Sequence, residues 1–570
     1  MRAFPPPLTG LKPGATWEQF EQRLTFEHLR CQPEPTARSP EAVLADRTEA
    51  AELKARIFEY GLYPEERIQA SHAATLRFAW CKLGILLWRT FPFDHLPVEI
   101  VANIFRYAVW STVSSPRGVL ARFRMTWVCR RWRHIAVCDQ TLWNTIWFKD
   151  IKIDYERSKL FFERAGTATL DLRIEDDDKT RVVPDQPMTG DDMKRILDMI
   201  MTKSCQIRML IVVVESWPAI LVLLDQLHRF SRSLQQLQRV EIHRTGRPYR
   251  WDGPGYPLSD YQHALSLCDG RTHRINYLCL NGIHLDWDKA RFANLTDLDL
   301  RRMPPDLGPS LDLFRDMLTS SPNLKKLSLD GAGPVAPTGL AARSYPPVFL
   351  PRLESFILGD MLVSYAMFCA RLIHAPNVRE MTLLNFVGED HARLLKVLTG
   401  KFPEVLILTL YSLNVQKSPK NGRIVVQWLL SMPKVKFMRV ALMKAHMFTP
   451  FFIDGRLHIN DDIPLTPTLE EIAVIRANGT PIVPFPALEA IEVQHIDINT
   501  VVNFVYGRKK DGVPLRRLYI HHNWLESMTP QEKEAIQSQN YEYDFVNVTV
   551  PMSMTPYEET IWKQVRGLGG

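Results

Sequence analysis

Between residues 207 and 520 the chain keeps returning to one apolar spacing: a hydrophobic residue, a second three positions on, and a third five positions on. The early copies are Ile207/Leu210/Val212, Leu237/Val240/Ile242 and Ile275/Leu278/Leu280. Clearer ones follow at Leu295/Leu298/Leu300, Leu324/Leu327/Leu329, Leu353/Phe356/Leu358, Val378/Met381/Leu383, Val405/Leu408/Leu410 and Val435/Met438/Val440. Leu469/Ile472/Val474, Leu488/Ile491/Val493 and Leu515/Leu518/Ile520 complete the series. The +3 and +5 residues are two apart, so on an extended strand they share one face, and +2, +4 and +6 share the other. Successive copies begin 19 to 38 residues apart, enough for a strand, a turn and a helix. One such unit cannot cover its own apolar face. Stacked units can, as a parallel sheet with an outer helical layer, each stabilised by its neighbours. At 570 residues the chain is too long for one compact core, and stacking removes that difficulty.

The spacing resembles the core of a leucine-rich repeat, although the asparagine of the regular repeat is mostly missing. That departure and the uneven spacing predict an irregular arc with long loops, notably Gly331 to Pro351 and Arg244 to Asp269.

Upstream, Leu96 to Ile146 packs three motif pieces into about fifty residues. It opens on Leu96-Pro97-Val98-Glu99-Ile100, centres on Val128-Cys129-Arg130-Arg131-Trp132-Arg133 and ends on Thr141-Leu142-Trp143. Pro97 suits a first helical position and Glu99 the helix dipole. Ile100, Val101, Ile104, Phe105 and Ala108 share one helical face, Val119 to Ala136 repeat that spacing, and a third short helix is predicted through Leu142, Trp143 and Ile146. So small a unit buries too little surface to account for its aromatic content, so some of Phe105, Trp127, Trp132 and Trp143 should meet a partner.

In their order these pieces resemble an F-box, and with the helical leader before them the chain is similar to mushroom-type fungal F-box proteins. The resemblance implies binding of a Skp-type linker, which hangs such proteins on a cullin scaffold carrying ubiquitin-conjugating machinery. It places Leu96, Pro97, Ile100, Ile104, Phe105, Val128, Cys129, Trp132 and Leu142 against that linker.

The fold class expected is therefore α/β: an all-α leader and a three-helix F-box, then a curved leucine-rich-repeat solenoid with a parallel sheet. The expected divisions are a loose leader at 1–40, a helical leader at 41–92, the F-box at 93–150, the repeat arc at 151–525 and a C-terminal cap and tail at 526–570. Hydrophobic content of 46% and charged content of 23% exclude wholesale disorder, and a net charge of +7 over this length does not demand nucleic acid. Eight cysteines without a C-x-x-C pair or matching histidine spacing indicate neither a zinc centre nor a disulfide framework. The apolar run Met209 to Leu224 is broken by Glu215, Ser216 and Pro218 and reads as a strand leading to a helix, not a membrane span. The run Glu175 to Asp178 reads as a solvated loop.

Phosphate-loop, nucleophile-elbow, zinc-helix and EF-hand patterns are missing, so the expectation is a non-catalytic adaptor without cofactor or metal, cytoplasmic or nuclear, with no sign of a homo-oligomer or a membrane partner. On the concave face the +2, +4 and +6 residues are charged early (Asp297, Asp299, Arg301, Lys326, Asp330), apolar in the middle (Leu384, Ile407, Tyr411, Phe437, Ile475) and polar again at Glu492, Gln494, Arg517 and Tyr519. The central apolar patch is the predicted docking place for an unknown protein substrate, with polar flanks at Glu492, Arg517 and Tyr519 setting orientation. The competing readings are a C-terminal segment covering the patch, a ligase-independent interaction scaffold, and a nucleic-acid partner prompted by Arg130, Arg131 and Arg133.

Overall fold

The structure is a computed structural model; it describes residues 39–61, 96–110, 115–148, 155–176, 187–245, 266–337, 345–388, 390–448, 483–510, 512–521 and 542–546 with a few single positions. The chain forms two compact units, residues 1–145 with 159–168, and residues 146–158 with 169–570.

The first unit is helical. Helix α1 (Pro40–Gly61) buries Ala50 in a cluster with Leu83 and Leu86. Helices α2 (Val98–Trp110), α3 (Ser115–Val128) and α4 (Arg130–Cys138) follow, closed by a 3-10 turn at Gln140–Leu142. The start of α2 is one residue later than the sequence suggested: Pro97 caps it, its carbonyl accepting from the Ile100 and Val101 N–H groups at 3.1 and 3.2 Å. Helix α4 begins where the extended Cys129 offers its sulfur to the Trp132 N–H at 3.4 Å, supplying one of the partners a helix start lacks. Asp139 then stops it and caps the 3-10 turn, accepting from Thr141 N at 3.1 Å and Arg106 Nε at 2.8 Å.

Val101, Phe105, Val109, Ile135, Ala136, Leu142 and Trp143 are buried. The Trp143 indole N–H donates to the Ala136 carbonyl at 2.7 Å, so this ring is buried without a stranded donor. Phe161, in the part of α5 (Glu156–Arg164) that belongs to this unit, meets Trp143 edge-on at 5.0 Å. The third helix expected through Ile146 is instead the 3-10 turn followed by strand β1 (Thr145–Phe148). Ile146 and Phe148 alternate inward on that strand, a period of two where a helix was expected.

The second unit is built on one large sheet. Its strands after β1 are β2 (Leu170–Glu175), β3 (Ile207–Val214), β4 (Arg239–Arg244), β5 (Tyr277–Asn281), β6 (Asp297–Arg301) and β7 (Lys326–Asp330). Then come β9 (Ser355–Gly359), β11 (Glu380–Leu384), β12 (Ile407–Tyr411), β13 (Phe437–Ala441), β14 (Ala490–Gln494), β15 (Arg517–His521) and β16 (Glu542–Val546). They lie side by side in chain order, while β8 (Val348–Phe349) and β10 (Ile373–His374) pair separately. From β2 onward each neighbouring pair in the large sheet is parallel, which requires a crossover segment after each strand. Helices such as Trp217–Arg229, Leu311–Thr319, Ala392–Leu398 and Pro419–Leu430 lie in those crossovers. The run Met209 to Leu224 divides as read, into β3 and the helix from Trp217.

The repeated spacing is the register of this sheet. The +3 residues form one row, Leu210, Val240, Leu278, Leu298, Leu327, Phe356, Met381, Leu408, Met438, Ile491 and Leu518, each paired with the next. The +5 residues from Val212 to Ile520 form a second row, and both rows are buried. Each such side chain contributes roughly 1.5–3 kcal/mol by leaving water, which is why the spacing tolerates swaps among Leu, Ile, Val, Met and Phe and nothing polar. The copy at Leu469/Ile472/Val474 lies outside the described residues, and β13 pairs directly with β14. Strands β2 and β16 extend the sheet beyond the copies read from the sequence.

The turns that end these strands share one backbone device. The residue just after each strand of the large sheet from β5 to β14 has positive φ: Gly282, Arg302, Gly331, Asp360, Asn385, Ser412, Leu442 and His495. From Gly282 to Leu442 its N–H donates to the last carbonyl of the next strand, at 2.7 to 3.2 Å. Asp176 departs from the loop reading of its acidic run: it is buried and accepts from Met188 N at 3.2 Å and Glu215 N at 3.0 Å, tying two crossovers together. Asp177 and Asp178 lie outside the described residues.

Candidate functional site

Helix α2 is apolar over an arc too wide for one core. Val101, Phe105 and Val109 face inward, at most 1% exposed, while Ile100, Ile104 and Tyr107, spaced four and three apart, stay 46%, 40% and 77% exposed. Val98 and Trp110 flank that stripe and are also exposed, as is Trp127 of α3, stacked on Phe123 at 6.3 Å. Leu96, Val128, Cys129 and Trp132 are half-buried and Pro97 is exposed. Trp132 packs on Phe105 with ring centroids 4.9 Å apart. Arg131 donates to the Leu96 carbonyl at 2.6 Å, which fastens the entry of α2 to α4.

Two residues assigned to the linker are therefore reassigned. Phe105 and Leu142 lie in the core, 1% and 0% exposed, off the exposed stripe. They hold the surface in shape and do not form it. Val98, Tyr107 and Trp110 were missed; an apolar arc wider than about 100° was the available signal. The basic edge also changes meaning, since Arg133 donates to the Thr126 carbonyl at 2.8 Å and Arg131 to Leu96, leaving two of the three arginines in structural bonds.

Residues 93–149 match the F-box-like family. The match supports an F-box protein, and F-box domains typically bind Skp-type linkers, so an adaptor role in general is suggested. No curated protein matches the chain. Among the described residues no helix is long and apolar enough to cross a membrane.

On the sheet, part of the patch expected to receive substrate is buried. Ile407, Phe437 and Tyr519 are at most 1% exposed and, with Ala490, form a buried cluster; Phe437 and Tyr519 rings lie 6.2 Å apart. Glu492 is buried as well, bonded by Arg439 Nε at 3.0 Å. An apolar row at the +2 position is what a covered face needs, so the same residues serve burial where docking was expected. Leu384, Tyr411 and Arg517 are half-buried, and Ile475 lies outside the described residues. Charged side chains of this face reach solvent as well: Arg173 and Arg239 are about two-fifths exposed, and Arg301 and Lys326 about a quarter. Asp299 sits beneath them, bonded by Arg301 at 2.7 and 2.6 Å and by Lys326 at 3.4 Å. Burial would push its carboxyl up, but these two cations outweigh that and hold it below the usual carboxylate range.

Proposed function

We propose that this protein is a non-catalytic substrate-recognition adaptor of a cullin-RING (SCF-type) ubiquitin ligase, with the F-box region holding a Skp-type linker and an irregular leucine-rich-repeat array holding a protein substrate. The observation that carries the reading is the exposed Ile100/Ile104/Tyr107 stripe inside the region matching the F-box-like family. An apolar helix face of this kind suits a helix-lined partner. The resemblance to mushroom-type fungal F-box proteins belongs to the same reading. Because the central apolar row is covered, substrate docking is assigned to the partly exposed polar stretch around Arg173, Arg239, Arg301 and Lys326. Rigidly positioning a substrate beside the conjugating enzyme supplies effective concentration without touching the reaction.

The test is titration of a purified Skp-type linker into the intact chain and into an Ile100→Asp/Ile104→Asp form. Both side chains are exposed by two-fifths or more, so the fold should survive the change, and binding should fall by at least about a hundredfold. A native chain that does not bind linker, or a double variant that binds it equally well, overturns the reading.

A further inference from the structure

The polar face of β4 and β5 holds a mixed set of metal-ligating atoms that the cysteine spacing could not reveal. Glu241 and His243 stand two apart on β4, and Cys279 is the register partner of Glu241 on β5. One ligand atom from each lies within 4.8 Å of the other two. A tetrahedral zinc ion wants its ligands about 3.3–3.8 Å apart, so side-chain rotation of an ångström or less closes the set. We propose that Glu241, His243 and Cys279 bind one divalent ion of the zinc class, with a water molecule in the fourth position.

The two carboxylate oxygens of Glu241 already have separate tasks. Oε1 accepts from the Arg239 guanidinium, which lies over the Tyr277 ring at 3.9 Å; Oε2 faces His243 Nε2 at 3.3 Å. Arg239 thus orients the carboxylate from outside, as second-sphere groups do at metal centres, and leaves Oε2 for the ion. Asn281, the register partner of His243, has a buried Oδ1 with no hydrogen-bond partner, an acceptor suited to the metal-bound water. Binding places the ion between Nε2 and Oε2: the proton that Nε2 donates to Oε2 is exchanged through solvent for one on Nδ1, leaving a neutral imidazole, and the Cys279 thiol releases its proton to solvent. Thiolate and carboxylate then set two negative charges against the ion and the Arg239 guanidinium, whose remaining single positive charge lies at a side chain two-fifths exposed to solvent, while the adjacent Asp299 is paired with Arg301 and Lys326. One sulfur, one imidazole and one carboxylate suit zinc rather than calcium or magnesium, which take all-oxygen shells.

The test uses the intact chain, stripped with chelator and titrated with Co2+ and then Zn2+. The expected result is one Co2+ per chain with a sulfur-to-cobalt charge-transfer band, displaced by Zn2+. Cys279→Ser should abolish that band, and His243→Gln, at a partly exposed position, should weaken binding at least tenfold while leaving the melting temperature of the metal-free chain unchanged. X-ray absorption at the zinc edge of the native chain, independent of any variant, should show one sulfur among nitrogen and oxygen neighbours. No stoichiometric binding, a shell without sulfur or with several, or binding unchanged in both variants overturns the site. None of these readouts involves the linker, so this site and the adaptor reading fail separately.

Discussion

Asp330 carries a conflict that one substitution can expose. It ends β7 with its Oδ1 buried and without a hydrogen-bond partner, and burial, helped by the nearby Asp360, pushes its carboxyl up to about 6. Its proton is therefore taken up in the folded state at a pH where the unfolded chain stays ionised. Stability from this group is lost as pH rises through about 6 and recovered as pH falls from there toward the ordinary carboxylate value. Asp330→Asn should stabilise the chain at pH 7.5 by on the order of 1–2 kcal/mol, seen as a higher melting temperature, and should give much less at pH 5. Equal shifts at the two pH values, in thermal melts followed by fluorescence, would refute this. The Arg439–Glu492 pair behaves oppositely, because both partners are buried and matched. Arg439→Ala strands a carboxylate and should cost about 3–5 kcal/mol in denaturant melts, whereas Arg439→Met with Glu492→Leu should cost far less. If the double variant is as unstable as the single one, desolvation is not what governs this pair.

At the scale of elements, the residues that succeed in the sequence are those with one structural duty. The +3 and +5 residues must face inward, so Leu298, Leu327 and Leu408 announce their strands and their register together. Residues with two possible duties mislead: Ile407, Phe437 and Tyr519 suit a docking patch or a covered face equally, and spacing does not distinguish them. Phe105 and Ile104 are adjacent apolar residues on one helix with opposite fates, and the motif that includes both could not separate them. The turns after the strands were illegible for another reason, since positive φ is imposed on Arg302, Asp360, Ser412 and Leu442 alike by the pull of the next strand's carbonyl. Leu442 is the costly member, being a large apolar residue at φ 52 and exposed. Leu442→Gly should stabilise the chain by about 1 kcal/mol, and Leu442→Val should destabilise it by at least as much. Chemical denaturation of the two variants decides it; a loss of stability in the glycine variant would mean that the Leu442 side chain, not its backbone, matters.

Across the whole molecule, strands adjacent in sequence are adjacent in the sheet, so disturbance should spread by neighbours. Leu298→Ala opens a cavity worth about 2–5 kcal/mol in β6. Amide exchange should then rise at least about tenfold in β5, β6 and β7 and stay within about threefold in β13 and β14. A uniform rise over all strands would show that the sheet opens as one cooperative body. The line of left-handed residues that closes these strands gives the chain a further property. Seven consecutive turns, from Gly282 to Leu442, are fixed by main-chain bonding, yet they carry glycine, arginine, aspartate, asparagine, serine and leucine. At Gly282 and Gly331 an added Cβ would meet a backbone carbonyl at 2.8 and 3.2 Å, so the freedom to vary lies with the other members of the column, where residues that accept a left-handed backbone can be exchanged while the scaffold beneath keeps its register.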